Sequence, residues 1–269
     1  APDSTQTFDR SLLSLSSVKI GRTVRLTPAD IQNVRAFGTE SELATVQRIY
    51  NERARPVRNS INATHENLRL GALRGIQYQS DGTTPILDFY TVFGITAPDT
   101  IYFDFANATR AQLQSRYADA ASHIRGGLRN AQETGYVAVY GPAAWRSFVE
   151  SDAVAAAYDR WQEGAWLRQG SLKPPFEMFD FMHVEHRGLG IGANEIRFAP
   201  VGVPGLFKTV FTPLDHMETA NTLGLPLYVN PNMADFGKGW AAEIASLPIH
   251  FCTRPEVLIG GDAGADPSP

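Results

Sequence analysis

Cysteine and long apolar runs are scarce in this chain of 269 residues. Its single cysteine, Cys252, excludes an intrachain disulfide and is typical of a protein made in a reducing compartment. No apolar run reaches the roughly 18 residues of a membrane span. The start, Ala1-Pro2-Asp3-Ser4, lacks the basic and apolar regions of a secretory signal. The sequence therefore predicts a soluble protein of intracellular origin.

Positive charge, and lysine in particular, is also sparse. Lys and Arg total 24 against 28 for Asp and Glu, which gives a formal net charge of −4 and argues against a chain-wide grip on nucleic-acid phosphates. Most cations are arginine, the residue suited to bidentate pairing at interfaces, and this favours a protein that assembles. The lysines are Lys19, Lys173, Lys208 and Lys238.

A long amphipathic helix is the strongest local pattern. After Gly38, Thr39 or Ser41 can cap a helix predicted over residues 41–75, with acidic residues in its first turn. At 1.5 Å per residue, a continuous helix would be roughly 48 Å long. Pro56 removes one hydrogen bond, so we expect a bend or a break near Arg53. Steps of three and four mark the apolar face: Leu43, Val46, Tyr50, Ala54, Val57, Ile61, His65, Leu68 and Ala72.

The rest of the chain reads as mixed helix and strand. Residues 1–30 resemble an extended arm with strand-like alternation, and the Gly-rich and Pro-rich end from residue 260 is expected to be mobile. Short apolar runs between prolines after Phe198 suit strands and loops. We predict a hairpin over 76–90, helices over 109–130, 143–148 and 153–166, a buried strand over 136–140, and loops over 173–175 and 188–192.

His183-Val184-Glu185-His186 is the best candidate for metal chemistry. Two imidazoles and a carboxylate lie within four residues and could serve a metal-dependent hydrolase. On a strand, however, His183 and Glu185 share a face while His186 points away, and the helical pair of histidines found in zinc peptidases is missing. Polarity on a surface strand is the favoured interpretation, and metal binding the remote alternative.

No other cluster supports catalysis or a cofactor. Asp215-His216-Met217-Glu218 has no nucleophile at a useful spacing, which favours capping or interface polarity. The glycine-rich stretch 188–192 precedes a strand, whereas a phosphate cradle needs a helix N-terminus there. Cys252 beside His250 is interpreted as a buried core thiol, because adjacent strand residues face opposite ways. We therefore predict no catalytic, metal or cofactor residues.

Several of these stretches resemble the major capsid protein E family, which includes the shell subunit of phage lambda. The similarity covers about residues 33–260 and is carried in order and spacing by short motifs. Along the helix these are Arg35-Ala36-Phe37-Gly38, Ala63-Thr64-His65-Glu66, Leu68-Arg69 and Gly71-Ala72-Leu73-Arg74-Gly75. Nearer the C-terminus they are Val201-Gly202-Val203-Pro204-Gly205-Leu206-Phe207, Met217-Glu218-Thr219, Asn221-Thr222-Leu223-Gly224-Leu225-Pro226, Gly237-Lys238-Gly239 and Cys252-Thr253-Arg254-Pro255-Glu256-Val257-Leu258.

The resemblance implies an α+β fold of the Hong Kong 97 type. Residues 31–100, with the spine helix, and 205–260 would form the peripheral P-domain, and 101–204 the axial A-domain. Residues 1–30 would be a remnant of the E-loop, and 261–269 a disordered tail. Family chains carry an N-terminal arm upstream of the point where this sequence starts, which puts arm-mediated clamping between neighbours in doubt.

The implied function is that of a structural shell subunit of a tailed double-stranded DNA bacteriophage, without catalysis. Hexamers and pentamers would build an icosahedral virion head that encloses DNA without sequence-specific binding, assisted by scaffold, portal and possibly decoration proteins. An encapsulin-like compartment is the alternative with the same fold. The interface or hinge candidates are Pro56, Gly71, Gly75, Gly205, Met217, Glu218, Asn221, Lys238, Arg254 and Glu256.

Overall fold

The computed structural model describes residues 15, 17–31, 42–79, 84–164, 176–233 and 237–267, which form a mixed α+β architecture. The helices are α1 Pro28–Ile31, α2 Glu42–Arg74, α3 Phe89–Phe93, α4 Arg110–Leu128, α5 Pro142–Glu150 and α6 Ala155–Glu163, with a 3₁₀ turn at Pro255–Val257. The strands are β1 Ile20–Leu26, β2 Ile76–Tyr78, β3 Pro85–Asp88, β4 Ile101–Tyr102, β5 Gly135–Tyr140, β6 Phe176–Met178, β7 Phe181–Glu185, β8 Glu195–Val201, β9 Phe207–Phe211, β10 Tyr228–Met233, β11 Trp240–Ser246, β12 Pro248–Cys252 and β13 Ile259–Asp262.

Helix α2 is the long spine, with 33 residues and a length of about 50 Å. Ala54, Ile61, Leu68 and Ala72 of the predicted apolar face are buried. Of the two predicted alternatives near Arg53, the break is wrong, because the helix is continuous through Pro56. Pro56 lies on the exposed side, so water can satisfy the carbonyl that its missing N–H leaves free.

The largest core lies around a six-stranded sheet of order β4-β13-β8-β5-β7-β6. Strand β5 pairs in parallel with β7 and antiparallel with β8. Helix α4 begins at a capping box formed by Thr109 and Gln112, and packs on this core through Leu113, Tyr117 and Ile124. Much of the core is aromatic, so rigid rings fill the space between helix and sheet.

The C-terminal strand β13 corrects the predicted mobile tail. Ile259–Asp262 lies between β4 and β8 inside the six-stranded sheet, and the N–H of Phe103 donates to the carbonyl of Asp262 at 2.8 Å. A Cβ at Gly260 or Gly261 would stand 2.8 Å or 2.9 Å from the side chains of Arg197 and Phe103. The glycines that made the segment look mobile therefore allow this close packing. The segment also packs with residues 101–204, although the predicted P-domain extended to residue 260.

A smaller sheet of order β1-β11-β10 packs on the spine. All seven residues of β1 pair with β11, from Ile20 opposite Ser246 to Leu26 opposite Trp240. Val24, Ala54, Ile61 and Ile244 form the small core between sheet and helix. The predicted alternation in the N-terminal arm thus corresponds to a paired strand.

The remaining predictions agree with the structure within a few residues. Strands β2 and β3 form the predicted hairpin, and α4, α5, α6 and β5 occupy the predicted stretches. Strands β9 and β12 form a separate pair. The predicted helix caps Thr39 and Ser41, the hairpin turn 80–83 and the loop 173–175 lie outside the described residues.

Candidate assembly surfaces

An apolar loop, residues 212–227, connects β9 to β10. Met217 is 95% exposed and Leu223 90% exposed, and Leu225 is also exposed. The base of the loop is ordered: Leu214 and Tyr228 are buried, and the Tyr228 hydroxyl accepts the N–H of Leu225 at 2.9 Å. Large apolar side chains held in water on an ordered base are typical of a protein–protein interface.

Hydrogen bonds within the loop fix the shape of its tip. The Thr222 hydroxyl donates to the carbonyl of Thr219 at 2.8 Å, and the Thr219 hydroxyl donates to that of His216 at 3.1 Å. Asn221 has a left-handed backbone with φ of 60°, a conformation that asparagine tolerates well. The structure therefore brings the predicted residues Met217, Glu218 and Asn221 together on one exposed tip.

Strand β9 continues this exposed surface. Among the described residues it pairs only with β12, so its other edge is open. Phe207 and Val210 are both more than two-fifths exposed. An open strand edge with apolar side chains is a template for contact with another chain. Gly205, another predicted candidate, is exposed in the turn that leads into β9.

An apolar groove of about 320 Å³ lies between α2 and the sheet of β1, β10 and β11. Leu26, Tyr50, Val229 and Trp240 are among the residues that line it. The hydroxyl of Tyr50 is buried and has no hydrogen-bond partner among the described residues. Trp240 and Val229 remain partly exposed at the rim, which makes this groove a second candidate surface.

Two glycines at the C-terminal end of the spine allow close packing against the segment that follows it. Gly75 ends α2 with φ of 81°, and a Cβ there would stand 2.2 Å from the ring of Tyr90. A Cβ at Gly71 would stand 2.8 Å from the side chain of Gln77. The amide nitrogen of Gln77 donates to the carbonyls of Leu68 at 3.3 Å and His250 at 2.6 Å. These predicted hinge positions are thus sites of close approach between helix and hairpin.

An ion cluster ties the same end of the spine to β8. The Glu195 carboxylate lies 3.0 Å from Nε of Arg74 and 2.5 Å from a guanidinium nitrogen of Arg197. Glu195 also accepts the N–H of Gly192 at 2.7 Å, and Arg74 donates to the carbonyl of Gly190 at 3.3 Å. We call Arg74, Glu195 and Arg197 the clasp, because this ion cluster connects the spine to the six-stranded sheet. The glycine-rich stretch 188–192 is a loop, as predicted, and its backbone bonds to two members of the clasp.

A buried pair of histidines joins the spine to β12. Nδ1 of His65 lies 3.1 Å from Nε2 of His250, and Nδ1 of His250 lies 2.8 Å from the hydroxyl of Thr209. Burial lowers the pKa of His250 to about 4, and the nearby His65 and Arg69 act in the same direction. Burial also lowers the pKa of His65. Both rings are therefore neutral at pH 7, and the pair holds together without a buried charge.

The predicted surface polarity of His183 is wrong, because this residue is buried in the core of the six-stranded sheet. Its Nε2 lies 2.8 Å from the carbonyl of Met178, which can only accept, so Nε2 carries the proton. Nδ1 must then accept from the Tyr140 hydroxyl at 2.8 Å, and Tyr140 in turn accepts from Tyr117 at 2.5 Å. Burial lowers the pKa of His183 to about 4. Sequence analysis missed the burial of His183. The signal that could have revealed it is the position of this residue on the inward face of strand β7.

The metal alternative gains no support from the geometry. Both nitrogens of His183 are engaged, Glu185 pairs with Arg187 at 2.7 Å, and His186 faces Glu66 of the spine at 3.9 Å. Within the described ranges no group of three or more His, Cys, Asp or Glu side chains could hold a metal ion. The three residues therefore do not converge on one site.

The direction of donation in the tyrosine network gives a testable contrast. Tyr140→Phe should destabilise the subunit by about 2 kcal/mol more than Tyr117→Phe, because it leaves both the His183 acceptor and the Tyr117 donor unpaired. Tyr117→Phe removes only the terminal donor, and Tyr140 keeps its bond to His183. Urea unfolding of the two variants measures the difference, and equal losses would contradict the assigned direction.

The four remaining sequence candidates all reach the surface of the subunit. Pro56 and Lys238 are exposed. Arg254 donates to the carbonyl of Leu128 at 2.9 Å, and Glu256 shares a cavity with this guanidinium at the end of α4. Cys252 is buried as predicted, which raises its pKa to about 12. Arg254 therefore bonds within its own subunit while its side chain remains exposed.

Comparison with known proteins defines the class first. The fold is similar to that of the putative capsid protein of a prophage of E. coli CFT073, with a TM-score of 0.57, 12% identity and coverage of 92% of this chain and 77% of that chain. It is also similar to the capsid of Ralstonia phage GP4, with a TM-score of 0.54, 14% identity and coverage of 94% and 75%. Together these likenesses show the Hong Kong 97 fold, as the resemblance to the capsid family implied.

The sequence comparison gives the family. Residues 3–263 match phage major capsid protein E, and the chain is 26% identical to the major capsid protein of Salmonella phage Felix O1 over 90% of this chain and 74% of that protein. The chain belongs to the phage major capsid protein E family. Its function is that of a major capsid protein of a tailed phage, a structural protein of the virion capsid that assembles into a multimeric shell. No helix among the described residues is both long and apolar enough to span a bilayer.

Proposed function

We propose that this chain builds an icosahedral head of hexamers and pentamers around a double-stranded DNA genome, and that it acts without catalysis. The observation that carries the proposal is the apolar loop, in which Met217 and Leu223 are almost fully exposed on an ordered base. A monomer would leave this surface in water, whereas contact with another copy would bury it. The open edge of β9 and the groove beside Trp240 extend the surface available to neighbours.

The subunit has one hydrophobic core around the six-stranded sheet and another between the spine and the sheet of β1, β10 and β11. These two cores suggest how the subunit divides into domains. The spine, the hairpin and the sheet of β1, β10 and β11 would form the P-domain, with β1 as the remnant of the E-loop. The six-stranded sheet would form the A-domain, extended from 101–204 to include 255–263 because β13 lies within that sheet. The clasp of Arg74, Glu195 and Arg197 would then set the angle between the two domains.

The clasp gives a prediction about shell geometry. Glu195→Gln removes the charge shared by Arg74 and Arg197 and leaves two half-buried guanidinium groups in contact with a neutral amide. We expect particles of mixed diameter, because the angle between the domains is less firmly set. Particle sizes in electron micrographs measure this. Glu185→Gln, which affects a single ion pair with the exposed Arg187, is the matched control. A uniform population from Glu195→Gln would contradict the role of the clasp.

The direct test of the proposed function is electron microscopy of particles formed by the full chain, expressed alone and with its neighbouring phage genes. We expect icosahedral shells when it is expressed alone, and tailed particles filled with DNA in the phage context. Scaffold and portal proteins are the expected partners there. Only monomers would contradict assembly, and small empty shells with enclosed enzymes would point instead to an encapsulin-like compartment.

A further inference from the structure

One face of the spine α2 carries a stripe of exposed arginines. Arg55, Arg58 and Arg69 are all exposed, and the exposed Asn51 and Asn62 lie in line with them; these five residues are the arginine stripe. At 100° per residue, the three arginines fall within about 60° of one another around the helix, to one side of the buried face. Arg55 and Arg69 are separated by about 21 Å along the axis. The stripe is therefore a continuous basic surface on a rigid element.

These arginines have no acidic partners within the described part of the chain. Two other exposed arginines of the same helix do: Arg48 pairs with Glu52 at 2.9 Å, and Arg53 with Asp30 at 2.6 Å. Glu66, the acidic residue near Arg69 on the helix, turns toward His186. Since the whole chain has a formal net charge of −4, this concentration of unpaired positive charge departs from the average surface.

The composition of the stripe distinguishes it from the surfaces that suit a protein neighbour. Stable protein interfaces have an apolar core, as the apolar loop and the groove beside Trp240 can provide. The stripe contains only guanidinium and amide groups, all in water. Arginine matches phosphate oxygens with two parallel hydrogen bonds, and asparagine amides add further donors. This favours a solvated polyanion over a second copy of the chain.

We propose that the arginine stripe binds the phosphate groups of the nucleic acid that the shell encloses. The identity of that ligand rests on the proposed function. The contact reads no sequence, because it reaches phosphates and presents no group positioned for base edges. Three arginines per subunit bind weakly, but the many copies in a shell act together on one polymer. The spine face that carries the stripe would then line the interior of the head.

The test compares two triple variants of the full chain, kept below the concentration at which it assembles. Arg55→Gln, Arg58→Gln and Arg69→Gln together neutralise the stripe, and glutamine preserves helix propensity. Arg129→Gln, Arg146→Gln and Arg160→Gln remove the same charge from exposed positions around the six-stranded sheet. The probe is a fluorescein-labelled DNA duplex of about 30 base pairs, followed by anisotropy between roughly 50 and 200 mM salt.

For the stripe variant we expect the slope of log affinity against log salt to fall by about 2.7, so that its loss of affinity across this range is about 40-fold smaller than that of the wild type. The control variant should keep a slope near that of the wild type. Equal changes in both variants would indicate a general charge effect and overturn the proposal. Unchanged DNA binding by the stripe variant would also overturn the proposal. If that variant also failed to assemble, the stripe would be identified as a contact between subunits. Failure of the wild type to form shells in micrographs would contradict the proposed function separately.

Discussion

Replacing both Met217 and Leu223 with aspartate should abolish shell assembly and leave the subunit folded. Both side chains are almost fully exposed in the subunit, so their loss removes little internal packing. In a contact between subunits, each apolar side chain contributes about 1.5–3 kcal/mol, and a buried unpaired carboxylate opposes association further. We therefore expect affinity between subunits to fall at least 100-fold. Sedimentation and electron microscopy measure assembly, and thermal unfolding checks the fold.

A second pair of exposed apolar residues provides the control for this experiment. Leu189, which is 76% exposed, and Val184 lie away from the apolar loop, and their double aspartate variant carries the same added charge. This control should still form shells. Normal assembly of the Met217 and Leu223 variant, or equal loss in both double variants, would show that the apolar loop is not a principal contact.

Acidification from pH 7 to pH 5 should destabilise the isolated subunit through its buried histidines. His183 and His250 each have a pKa lowered to about 4 by burial, against about 6.5 in the unfolded chain. The unfolded state therefore binds more protons in this window, and stability falls as pH drops from 6.5 toward 4. The linkage amounts to about 2 kcal/mol per histidine at pH 5, a large part of the 5–15 kcal/mol that holds a typical domain together.

Urea unfolding at pH 7 and pH 5 measures this loss directly. His183→Gln and His250→Gln remove one titrating group each, so each variant should lose less stability between the two pH values than the wild type, even if it is less stable at pH 7. His216→Gln, on the half-exposed His216 beside Glu243, is the control. Hydrogen bonds lower the pKa values of Glu133 and Glu243. The stability that these two carboxylates contribute is therefore lost below about pH 4.5 and not between pH 7 and pH 5. An unchanged pH dependence in both variants would refute the assignment.

Local patterns predicted the fold well where the period of the side chains was clear. The spine repeats every three to four residues over many turns, and β5 is a compact apolar run, so both were identified close to their observed bounds. Strand β13 was missed because Gly260 and Gly261 carry no apolar side chain, although their small size is what lets Arg197 and Phe103 pack against them. Pro56 was overestimated as a breaker because its exposure to solvent depends on tertiary packing.

The candidate surfaces were harder to predict than the elements. The family motifs led to Met217, Glu218 and Asn221, but nothing local in the sequence shows that Met217 is exposed and Leu214 buried. The pair of His65 and His250 was missed because its two members come from distant parts of the chain, and a single histidine on an apolar face gives no indication of its partner. Long-range contacts of this kind are fixed by topology, which periodicity does not encode.

The pairing of β1 with β11 has a consequence for how the subunit is made on the ribosome. Strand β1 leaves the ribosome long before β11, its only partner among the described strands, and the six-stranded sheet waits for β13. Such distant pairings fold slowly, and until they close, the nascent chain exposes unpaired strand edges that are prone to aggregate. Completion of the two sheets therefore waits until β11 and β13 have left the ribosome, long after β1 and β4 have been made.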